Sequence, residues 1–84
     1  MIESFHVYIL QNEAKNFTYK GMTNDLERRL AEHNRGACQS TKPYRPLKIV
    51  YFETYDTRKE ARAREIYFKT GSGRRLLKQI LSNQ

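Results

Sequence analysis

The apolar residues of this chain fall into short dense blocks separated by polar punctuation. FHVYIL, residues 5–10, is rich in β-branched and aromatic residues and too short for a helix, which predicts a strand. QNEAKN follows as a polar hairpin loop, and FTYKG, residues 17–21, pairs back as a second strand closed by Gly21. Asn24 with Glu27 three residues on has the form of a capping box, predicting a helix from Asp25 until Gly36 stops it. After ACQSTKPYRP, a loop of small and polar residues, comes KIVYFET, residues 48–54. This third strand is apolar almost throughout, so a central place or cover on both faces is expected for it. Thr57 and Glu60 repeat the capping box and open a helix that continues to about Thr70. GSG, residues 71–73, breaks that helix, and RRLLKQIL forms a short last one with Leu76, Leu77, Ile80 and Leu81 at spacings of three and four.

The resulting order, ββαβαα, predicts an α+β fold: a small three-stranded antiparallel sheet flanked by helices. With 84 residues and no stretch resembling a linker, residues 1–84 are expected to form a single domain. Its core is expected from Val7, Ile9, Leu10, Leu26, Leu30, Ile49, Val50, Phe52, Phe68, Leu76, Leu77 and Ile80.

Charge narrows the partners. Sixteen Lys and Arg against nine Asp and Glu give a formal net charge of +7. That points to a polyanion, nucleic acid first and an anionic membrane surface second. The cations are interleaved with Tyr and Leu rather than massed in a tail, as on a folded basic surface. The single cysteine, Cys38, cannot close an intrachain disulfide or build the usual cysteine-rich zinc site, so a reducing cytoplasm is the expected location. The N-terminal apolar run is only Val7 to Leu10, and nowhere does the chain approach the ~18 consecutive apolar residues of a membrane span. Neither export nor a place in the membrane is expected.

Two polar side chains fall on faces that should turn inward. At about 100° per residue, Leu26, Leu30 and His33 lie within about 60° of one another on the first helix, with Arg29 about 40° beyond His33. A half-covered arginine needs an anion, either a carboxylate of this chain or a phosphate. Glu65, on the face that Ala61 and Phe68 give the second helix, is one such carboxylate, and an Arg29–Glu65 ion pair with His33 as a satisfied core histidine is the plain structural reading. Tyr8 and Tyr19 likewise suit ordinary strand positions that bury a ring and hydrogen-bond a hydroxyl.

Taken in register, Val7-Tyr8-Ile9, then Tyr19-Lys20-Gly21 with Thr23, then Arg29 ten residues after Tyr19, then His33, and finally Ala61 and Glu65, resemble the GIY-YIG nuclease superfamily, in particular its small single-domain members. The likeness runs from Phe5 to Leu81. His6 and Val7 stand where the family motif has a leading glycine, and Met22 stands where some members carry a lysine that lowers the tyrosine's pKa. That help would pass to His33, Lys20 or the metal.

The resemblance implies hydrolysis of a phosphodiester bond with one divalent ion. Tyr8 would be the general base; an ordinary phenol pKa is about 10, so it needs positive charge nearby. Glu65 would be the only protein carboxylate on a Mg²⁺ or Mn²⁺ ion, which then keeps several waters and leans on the substrate phosphate. Arg29 would stabilise charge growing on the phosphate oxygens, and Tyr19 would orient water or phosphate. DNA is the more expected substrate, cut on one strand in repair or recombination, and protein partners are not legible. The competing readings are a non-catalytic nucleic-acid-binding module, an RNA-directed nuclease and, less favoured, a basic protein-interaction or membrane-surface domain.

Overall fold

Phe5–Asn12 (β1), Thr18–Thr23 (β2) and Leu47–Tyr55 (β3) form an antiparallel sheet in the order β2-β1-β3. Leu26–Arg35 (α1), Arg58–Phe68 (α2) and Gly71–Ser82 (α3) flank it, and a 3-10 turn covers Lys42–Tyr44. The architecture is the expected ββαβαα. The computed structural model describes residues 3–83.

The middle strand is β1, not the third strand as its apolar run suggested. Val7, Tyr8, Ile9 and Leu10 are all buried, so β1 is covered on both faces. On β3, by contrast, only Leu47 is buried, half-buried and exposed residues alternate from Tyr51 to Tyr55, and Phe52 is 50% exposed; it is an edge strand and Phe52 is not core. Alternation of side chains along β1 divides the core in two. Val7 and Ile9 pack with Ala61, Phe68 and Leu77, placing α2 and α3 on one face. Tyr8 and Leu10 pack with Leu47, and with Leu26 and Leu30 of α1, on the other. Burying each large apolar side chain stabilises the fold by about 1.5–3 kcal/mol.

The helix starts show where local chemistry decides. The α1 cap is Asp25, whose side chain accepts from the Arg28 amide at 3.1 Å, so the expected Asn24–Glu27 box does not form. Thr23 sets this offset: its hydroxyl accepts from the Asp25 amide and donates to the Asp25 carbonyl, leaving Asn24 to accept from the Arg28 guanidinium. Gly36 ends α1 in the left-handed conformation at φ 89°. Thr57 caps α2, and its hydroxyl bonds the Glu60 carboxylate at 2.8 Å. GSG is not a break. Thr70 accepts from the Gly73 amide, so these residues are the first turn of α3. A β-carbon on Gly73 would collide with the Tyr67 carbonyl, so the glycine lets α3 start against the end of α2.

Candidate active site

Tyr8 starts on the middle strand directly opposite Gly21 of β2, and its ring lies across the glycine. A β-carbon on Gly21 would fall on the Tyr8 hydroxyl, so the tyrosine of the first motif and the glycine of the second require one another. Beyond the glycine the Tyr8 hydroxyl meets α1. It lies 2.9 Å from Nε2 of His33 and accepts a hydrogen bond from Nε of Arg29 at 3.3 Å. Tyr19 pairs with Leu10 and so shares the Tyr8 face; its ring centroid is 4.9 Å from that of His33 and 6.3 Å from that of Tyr8. Tyr8, Tyr19, Arg29 and His33 are therefore one group.

Burial dominates its electrostatics. The Tyr8 phenol, 2% exposed, is pushed up to about 12 by burial, only partly opposed by the Arg29 hydrogen bond. Burial and then the Arg29 charge lower the pKa of His33, which favours its neutral imidazole form. Arg29 stays charged, held so first by its bond to Tyr8 and next by Glu32, whose Oε1 accepts from Nη1 at 2.9 Å. The carboxylate answering Arg29 is Glu32, one turn along the same helix, and not Glu65.

Glu65 stands apart from this group. It is buried on α2 beside Ala61 and Phe68, on the face of the sheet opposite Tyr8, and its oxygens take Arg62 and Lys69 at 3.3 Å each. Its side chain is 10% exposed while both cations are mostly exposed. Among the described residues no three His, Cys, Asp or Glu side chains gather to hold a metal ion. A lone carboxylate fits a hard divalent ion that draws most of its oxygens from water and substrate, with the ion taking the place of the two exposed cations. On the same side of the sheet as Glu65 lies Lys20 of β2, opposite Ile9. There Lys20, crowded by Arg74 and by Lys69, has its pKa lowered, first by burial.

Lys20 pairs with Ile9 and Met22 with Val7, so both face away from Tyr8. Met22 packs into the apolar cluster. Lys20 faces away and burial lowers the pKa of His33, so among the described residues Arg29 is the cation that bonds the Tyr8 hydroxyl. Around the end of β2 a cleft of about 380 Å³ draws its walls from both faces: Met22, Thr23 and Asn24, then Arg28, Arg29 and Glu32 of α1, and Arg58 of α2. Three arginines face one glutamate there, which suits a phosphate.

Thr41 was not singled out by the sequence. It is fully buried, and its hydroxyl lies 2.8 Å from Nδ1 of His33. It sits in a polar loop eight residues past the histidine, with no motif to mark it; only the fold brings it home. Glu32 was overlooked for the opposite reason, being an ordinary helix neighbour of Arg29.

The family model of the GIY-YIG catalytic domain matches residues 4–78. The chain is 43% identical over 67 residues to a UPF0213 protein of Listeria monocytogenes serotype 4b (strain F2365), covering 79% of this chain and 75% of that protein. It is 36% identical over 80 residues to a UPF0213 protein of Staphylococcus saprophyticus, covering 94% and 96%. Among solved structures it is similar to the solution NMR structure of a UPF0213 protein from Bacillus halodurans, with a TM-score of 0.55 and 25% identity over 92% of this chain and 84% of that one.

Proposed function

The chain belongs to the GIY-YIG family of nuclease domains, and on that premise we propose that it is a metal-dependent endonuclease that nicks one strand of DNA, in repair or recombination, with residues 1–84 acting as a single domain. The observation that carries this reading is the Tyr8 hydroxyl held between an imidazole of lowered pKa and a guanidinium. A module that only binds nucleic acid has no use for such a buried arrangement, whereas a proton-transfer site does.

Tyr8 takes a proton from the attacking water while its own proton passes to Nε2 of His33, 2.9 Å away. The phenol thus serves as a base without lasting ionisation, which its raised pKa of about 12 opposes. Arg29 spends Nε on Tyr8 and Nη1 on Glu32, and its remaining N–H groups serve a phosphate in the adjoining cleft. Tyr19, against His33, orients the water or the phosphate. Glu65 would hold a Mg²⁺ or Mn²⁺ ion, which would supply polarisation of the phosphate oxygens. The surrounding cations grip the backbone without reading bases.

The test is cleavage of a panel of labelled DNA and RNA structures with Mg²⁺ or Mn²⁺, comparing the wild type with Glu65→Ala. Loss of nicking in a variant that keeps its fold is expected. Equal nicking by both proteins would assign the activity elsewhere.

A further inference from the structure

The proton positions along the buried chain through Tyr8 are fixed from both ends. Among the described residues the Tyr8 hydroxyl has two polar partners, Nε of Arg29 and Nε2 of His33. Arginine can only donate, so the phenolic proton has a single acceptor, a bare Nε2. A protonated Nε2 would leave the phenolic proton buried and without an acceptor, which is costly. From the other end, the Thr41 hydroxyl donates to the Cys38 carbonyl at 3.3 Å and so presents a lone pair to Nδ1 of His33, 2.8 Å away. Backbone bonds hold Thr41 in that pose: its amide donates to the Cys38 carbonyl and its own carbonyl accepts from the Tyr44 amide.

We propose that Thr41 is a positioning residue that locks His33 in the Nδ1–H tautomer, keeping Nε2 open for the Tyr8 proton. The hydrogen bonds then run one way, from Arg29 to Tyr8 to His33 to Thr41 to the Cys38 carbonyl. In the reaction the O–H bond of water breaks, its proton goes to the Tyr8 oxygen and the Tyr8 proton goes to Nε2. Tyr8 ends neutral and His33 ends as imidazolium; as the hydroxide oxygen bonds to phosphorus the bond from phosphorus to one nucleoside oxygen breaks, and that oxygen leaves as an alkoxide that takes a proton from solvent water. The catalytic part of this inference rests on the proposed nuclease reading; the tautomer does not.

The test reads the tautomer directly. The 84-residue chain labelled with ¹⁵N-histidine, without metal or substrate, is examined by long-range ¹H–¹⁵N correlation at neutral pH, with His6→Gln to assign His33. The wild type is expected to show a protonated Nδ1 and a bare Nε2. Thr41→Val, which keeps the shape and removes the acceptor, is expected to yield the Nε2–H form in part or whole, and Thr41→Ser to restore the wild-type spectrum. An Nε2–H wild type, or Thr41→Val with an unchanged tautomer, overturns the proposal. Should the valine variant not fold, as circular dichroism would show, the wild-type and Thr41→Ser spectra decide it alone. With Mg²⁺ and labelled DNA, kcat is expected to fall about tenfold or more in Thr41→Val with little change in KM, as for other groups that orient a histidine. A shifted tautomer with no cleavage by any protein, wild type included, would sink the nuclease reading and leave the lock standing.

Discussion

At the scale of single residues the Tyr8 hydroxyl joins stability to chemistry. Removing it in Tyr8→Phe leaves Nε2 of His33 and Nε of Arg29 facing a void, and a loss of about 1–3 kcal/mol is expected in denaturant melts. Nicking is expected to disappear with it. Gly21→Ala places a methyl on that hydroxyl and is expected to cost about 1–3 kcal/mol and displace the ring; a cleavage rate equal to wild type would contradict the close fit. Arg29→Lys keeps charge but loses the planar fork shared by Tyr8, Glu32 and phosphate, so a fall of about 10²-fold in kcat is expected from kinetics. Protonating His33 would erase the acceptor at Nε2. Its folded pKa lies below the ordinary 6.5, so the unfolded chain binds a proton first and the fold weakens as pH falls from about 6.5 toward the lowered value. Thermal melts between pH 7 and 5 should show that loss, and His33→Gln should flatten it.

At the scale of elements, short-range signals were legible wherever the chain solved its own problem locally. The Thr57–Glu60 cap, the stop at Gly36 and the β1–β2 hairpin needed only neighbours a few residues away. The Asn24 cap was misplaced by one residue because the Thr23 hydroxyl fixes the turn. GSG reads as a breaker by composition, yet Thr70 caps it and the Tyr67 carbonyl demands a glycine at its third position. Thr70→Ala is therefore expected to lower stability by about 1 kcal/mol in denaturant melts. β3 looked central because its run is apolar, but exposure of Phe52 and the sheet order are tertiary facts. The site divides the same way. Tyr8, Tyr19, Arg29 and His33 belong to one hairpin and the helix that follows it, so spacing was enough to gather them. Glu65 and Thr41 depend on which face of the sheet a later segment covers, and spacing carries no such information.

At the scale of the whole molecule, a second polar cluster ties the β3 edge to α2. Glu53 accepts from Nε and Nη2 of Arg64, at 2.8 and 3.1 Å, and from the hydroxyls of Tyr51 and Tyr55. Burial alone would raise its carboxyl, but Arg64 and the two phenols outweigh that and hold it below the ordinary 4.5. A depressed carboxyl stabilises the fold above its unfolded pKa, and that contribution fades as pH drops below about 4.5. Glu53→Gln should lower the melting temperature at pH 7 and remove most of the acid limb. The net charge of +7 acts over longer range: DNA affinity, measured by fluorescence anisotropy, should fall linearly in log–log form as salt rises. No helix of the described residues is long and apolar enough to cross a membrane.

The middle position of β1 has one more effect. Its odd-numbered Val7 and Ile9 serve one core and its even-numbered Tyr8 and Leu10 the other, so a slip of one residue would turn the tyrosine toward α2 and an aliphatic side chain toward His33. Catalysis is thus a readout of correct strand alignment: molecules paired out of step would be silent, and the active fraction of a refolded sample would count those aligned in the native way.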